Sequence, residues 1–149
     1  MRYNRFLLSA LFLSLVGCGG GASENTLEVY PVSGTVTVDG EAVQGVSVTF
    51  FPEGTTKGNG GFGATDASGK FSLKDRDLRD GVAEGTYRVL VTRLVKPDGS
   101  PIGGEEMAAD VGAMNQLPEI YNDPKQSPLT ATVGKTNEPF KFEIKGKKK

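Results

Sequence analysis

The chain has 149 residues, 37% of them hydrophobic and 23% charged, a globular balance that fits one domain. A formal net charge of −1 offers no field for nucleic acid. With no histidine, no tryptophan and one cysteine, zinc fingers, histidine metal sites and Ser-His-Asp or Cys-His nucleophile systems are excluded, as is the strongest aromatic platform for stacking.

Arg2 and Arg5 precede an apolar run from Phe6 to Val16. At about 11 residues the run is too short to span a bilayer, which takes roughly 20, and it reads as the core of a secretory signal peptide. The single cysteine follows after Gly17. Leu15-Val16-Gly17-Cys18 resembles the bacterial lipobox, which implies cleavage between Gly17 and Cys18. It also implies diacylglycerol on the thiol and a fatty acid such as palmitate on the new amino group. Two or three acyl chains anchor stably, each buried CH₂ adding ~0.8 kcal/mol. Gly19 follows the cysteine; in the lipoproteins this resembles, aspartate there commonly marks inner-membrane retention. The expected location is therefore extracytoplasmic, on the periplasmic face of an outer membrane or at the cell surface. Residues 1–17 read as signal peptide and 18–30 as a flexible lipidated tether reaching roughly 20 Å.

From Pro31 onward a period-2 pattern recurs. Val32, Val36 and Val38 alternate with Ser33, Thr35 and Thr37, and Asp39-Gly40 marks a turn. Val46, Val48 and Phe50 come next, then Phe62 and Ala64, then Phe71 and Leu73 after the turn at Asp66–Gly69. Tyr87, Val89 and Val91, then Leu129, Ala131 and Val133, and last Phe140, Phe142 and Ile144 complete seven short runs. Side chains two apart share a strand face, so each run offers an apolar face to a core. Seven short strands with close turns predict an all-β, antiparallel sandwich over residues 31–145, with a basic tail at 146–149.

The stretches VSGTVTVDGEAVQGVSVTFFPEG, GFGATDASGKFSL and GTYRVLVT, in that order, resemble the carboxypeptidase regulatory-like domain, a transthyretin (prealbumin)-like fold. LPEIYNDPKQSPLTATV and FKFEI resemble the C-terminal part of small secreted lipoproteins that carry it. The resemblance implies a seven-stranded Greek-key β-sandwich and no catalytic residues. Hydroxyisourate hydrolases and intradiol dioxygenases of related topology need histidines that this chain lacks. Pilin-type isopeptide crosslinks need a lysine in an early strand, where Val, Thr and Ser stand.

Gly58-Asn-Gly-Gly-Phe-Gly63 matches G-x-G-x-x-G, but a strand and not a helix is expected after it, so a loop is the better reading. Asp75, Asp77 and Asp80 lack the EF-hand register, since Arg79 takes the fifth place and Gly81 the seventh. No metal site is expected. The stretch from Lys96 to Pro128 breaks the strand rhythm and is long for a loop. Within it Met107, Val111, Met114 and Leu117 fall at helical spacing, so residues 105–117 form a long loop or a short amphipathic helix inserted before the last two strands. The preferred version has that apolar face pointing inward as a cap. Recognition is then expected in the glycine-rich stretch Gly99, Ser100, Pro101, Ile102, Gly103 and Gly104.

These features predict a lipid-anchored, non-enzymatic envelope protein that needs no cofactor beyond its lipid. Its partners would be the membrane and an envelope protein or glycan, and no nucleic acid; a purely structural spacer is the alternative.

Overall fold

The computed structural model describes residues 27 to 147; Gly17 and Cys18 lie outside them. Eleven strands, a 3₁₀ turn at Glu119–Asn122 and no α-helix make up the described residues. Strands β1 (Ser33–Val38), β3 (Ser47–Pro52), β4 (Gly61–Ala64), β5 (Lys70–Ser72), β7 (Gly85–Thr92), β10 (Thr130–Val133) and β11 (Phe140–Ile144) coincide with the seven alternating runs. The two-residue strands β2 (Glu41–Ala42), β6 (Lys74–Asp75), β8 (Leu94–Val95) and β9 (Met114–Asn115) have no counterpart in the sequence pattern. Each is too short for a period to show.

One sheet is built on β1. Strand β11 takes one edge of β1, and β5 and β2 pair with successive halves of the strand. The second sheet runs β10-β7-β3-β4-β6, all antiparallel, and β8 with β9 forms a separate ribbon. One pairing departs from the antiparallel expectation: β11 runs parallel to β1, Gly34 opposite Phe140 and Val38 opposite Ile144. Asp39 and Gly40 both have positive φ, which closes the tight β1–β2 hairpin as Asp-Gly pairs do.

Both sheets turn their apolar parity into one core. Val36, Phe71, Phe142 and Ile144 come from the first; Val48, Phe50, Tyr87, Val89, Val91 and Val133 come from the second. Phe50 bridges the layers, its ring 6.2 Å from Phe142 and 5.7 Å from Tyr87. The polar atoms caught inside are satisfied. The Tyr87 hydroxyl donates to the Ala83 carbonyl at 2.7 Å, and Ser127 Oγ donates to the Val89 carbonyl at 2.7 Å. Thr65 Oγ1 donates to the Val43 carbonyl and accepts from the Val46 amide. Unsatisfied, each such group would cost roughly 1–3 kcal/mol.

The leader, expected to stay flexible through residue 30, lies against the domain from Leu27. Tyr30 and Val82 exchange backbone hydrogen bonds at 2.8 and 3.1 Å, and Arg79 donates to the Leu27 carbonyl at 2.8 Å. Gly81, φ +110°, admits this segment, because a Cβ there would strike the Tyr30 carbonyl.

Candidate functional site

Strand direction divides the domain into two poles. Strand β1 leaves the pole where Leu27–Tyr30 is held, and parallel pairing makes β11 leave it too. Asn137 Nδ2 donates to the Pro31 carbonyl there. At the far pole the Gly146 amide donates to Asp39 Oδ1 and Lys147 Nζ donates to the Asn115 carbonyl. Strand β7 also runs toward this pole, so the insertion after Thr92 opens there. Eight residues of β7 separate the poles by roughly 25 Å.

The insertion is not a helix. Residues 105–117 are turns ending in β9, and the inward cap is overturned: Met107 is 69% exposed and Met114 55% exposed. Val111 is half-buried and only Leu117 enters the core. Gly112, φ +60°, interrupts any helical course, and the Ala113 amide reaches back to the Ala108 carbonyl. Outside a regular helix, residues three and four apart no longer share a face.

The predicted recognition stretch is a pinned hairpin at the far pole. The Lys96 amide donates to the Ser100 carbonyl and the Gly99 amide to the Lys96 carbonyl, while Pro101 bridges Val95. The Gly103 amide donates to Glu106 Oε2, and Lys96 Nζ pairs with Glu106 Oε1 at 2.8 Å. The Lys96 hydrogen bond, then the Gly103 amide, lowers the Glu106 pKa; Ser100 does the same for Asp98. Both are fixed anions at neutral pH. Ile102 is half-buried, and Gly104 lies open, with no heavy atom within 4 Å of where a Cβ would stand.

Gly99 and Lys96 wall an open cleft of about 490 Å³ whose other sides are Val38, Met114, Leu117 and Lys147. Of the predicted stretch, the structure therefore brings Gly99 to a concave surface; Ser100 to Gly104 sit beside it. An apolar floor with cationic and anionic edges suits recognition of another molecule.

The other motifs resolve into local structure. Gly58–Gly63 runs into β4 with no helix behind it, as expected. Asp75, Asp77 and Asp80 do not converge. Asp75 is buried and accepts from the Asp77 and Arg79 amides and from the Arg79 guanidinium, while Asp80 pairs with Lys74. Among the described residues no group of three or more His, Cys, Asp or Glu could hold a metal ion.

Sequence reasoning missed a second surface. Alternation assigns Phe62 and Ala64 to the core, yet both face outward; Phe62 and Phe51 are each 48% exposed. On β4 the alternate positions belong to Gly61 and Gly63, where a Cβ would strike the Val82 side chain and the Ser72 carbonyl respectively. The adjacent pair Phe50-Phe51 held the signal, because neighbours on a strand face opposite ways.

Comparison with known protein families, curated proteins and solved structures finds no match to this chain.

Proposed function

We propose that this chain is a lipid-anchored, non-catalytic module of a bacterial cell envelope. It is held to a membrane through Cys18 and binds another envelope component with its far pole. The observation that carries the reading is the position of the lone cysteine, separated from the apolar run by Gly17 and nine residues ahead of Leu27, whose carbonyl is held by Arg79. As the chain's single cysteine it has no second thiol for an intrachain disulfide. The finer fold reading is a seven-stranded Greek-key sandwich of the transthyretin-like, carboxypeptidase regulatory-like type. Seven longer strands in two sheets around one core, with the motif order over residues 31–93, support it. Recognition at the far pole is supported by the pinned hairpin and its cleft, on the opposite end from the tether.

Fractionation of cells carrying wild type and Cys18→Ser, each with a photo-crosslinking residue at position 101, tests both halves. The wild type should sediment with membranes and yield a discrete adduct, and Cys18→Ser should become soluble. A serine variant that stays with membranes at wild-type level overturns the anchor. An anchored wild type with no adduct favours a spacer over a binding module.

A further inference from the structure

The tether does not meet the domain at a neutral spot. Leu27 closes a small recess with Gly58, Asn59 and Arg76. Those same three residues wall a groove of about 320 Å³ on the outer face of the second sheet, together with Phe51, Pro52 and Phe62. At the approach to β4, Gly60 has φ +72° and a Cβ there would strike the Phe50 carbonyl. The guanidinium of Arg76 makes no hydrogen bond or ion pair with any described residue. The same turn closes at Leu78, whose amide donates to the Asp75 carbonyl; Leu78 is 66% exposed and held at φ +62°, where leucine is rarely found. The outer face of the first sheet is different in kind: Ser33, Thr35, Thr37, Lys141 and Glu143.

We propose that this face, with Phe51 and Phe62 at its centre and Leu78 at its edge, rests on the lipid bilayer at the boundary of headgroups and acyl chains. The inference rests on lipidation at Cys18. Nine residue steps separate Cys18 from Leu27, so an acylated Cys18 lies at most about 30 Å of chain from the groove. A surface held that close to a bilayer meets lipid before any soluble partner. Aromatic and leucine side chains enter the interface, and arginine buries its stem while its guanidinium reaches phosphate. The domain leans on this flank and its far pole turns outward.

The chain has no tryptophan, so one introduced indole reports alone. Phe62→Trp, Leu78→Trp and, at the far pole, Leu94→Trp are made in the lipid-modified full chain. Each is reconstituted in vesicles of phosphatidylethanolamine and phosphatidylglycerol, with and without mid-chain bromination. Phe62→Trp and Leu78→Trp should shift to the blue and lose roughly half their emission to brominated lipid, as for a ring at the headgroup–acyl boundary. Leu94→Trp should lose none. If the protein floats with the vesicles but the Phe62 and Leu78 positions are quenched no more than Leu94, the face is not a lipid surface, although the anchor stands. A Phe62→Trp signal that ignores lipid but responds to soluble peptidoglycan fragments gives the face to glycan and overturns the proposal. A wild-type chain that does not float removes the anchor and this orientation with it. Leu78→Trp sits in an exposed turn and decides the matter if Phe62→Trp fails to fold.

Discussion

A carboxylate as buried as Asp75 must find donors, and it finds them within its own turn. Burial pushes its pKa up, but the Arg79 amide and guanidinium and the Asp77 amide outweigh burial and hold it below the ordinary 3.8. A depressed native pKa means that the stability Asp75 supplies is complete above that ordinary value and is lost as the pH falls through the depressed one. Asp75→Asn should cost about 1–3 kcal/mol at neutral pH, and its deficit against wild type should shrink below about pH 4. Urea midpoints measured at neutral pH and in acid check both statements; an undiminished deficit in acid would contradict the sign. Val89 tests the parity of β7 in the same way. It is fully buried, so Val89→Asp leaves an unpaired charge in the core and should cost on the order of 3–5 kcal/mol. Thr92→Asp, on the opposite face and half-exposed, should cost well under half of that. Equal melting temperatures for the two variants would mean that the register is wrong.

The insertion shows how an element can mislead. Four apolar residues at helical spacing supply a pattern, but a helix also needs an uninterrupted backbone, and Gly112 with positive φ breaks it. The Lys96–Glu106 pair and the β8–β9 ribbon hold the segment open instead. Met107→Ser and Met114→Ser should each change stability by no more than about 0.5 kcal/mol, as exposed positions do. Leu117→Ala, which empties a core site, should cost about 2–5 kcal/mol. Chemical denaturation of the three variants separates the readings, and a large loss from either methionine would restore the cap.

For the whole molecule the parallel pairing of β1 and β11 has the widest consequence. It carries Lys145 and Lys147 to the pole opposite Leu27, so under the proposed anchoring through Cys18 both would face away from the membrane. Lys57 and Lys135 lie at the near pole, around the hollow lined by Leu27 and Glu28. On vesicles, amine-reactive labelling of Lys57 and Lys135 should be several-fold slower than on Cys18→Ser protein, and Lys145 should not change. Peptide mass spectrometry reads the rates. Slowing at Lys145 instead would reverse the orientation.

What the sequence determined by itself is what depends on neighbours along the chain. Alternation of Val and Thr sets strand faces, Asp39-Gly40 sets a hairpin, and a lone cysteine behind an apolar run sets an expected lipid site. These signals are local, and all seven longer strands were legible. The tertiary structure alone decided what depends on distant partners. Phe62 reads as a core residue, but Val82 against Gly61 and the Ser72 carbonyl against Gly63 leave no room for a side chain, which gives the inward face of β4 to backbone and turns Phe62 out. The direction of β11 is likewise absent from its own five residues. Alternation is the same read either way along a strand, so only the edge of β1 that β11 joins, and the loop that delivers it there, could make the pair parallel and send Lys145 and Lys147 to the far pole.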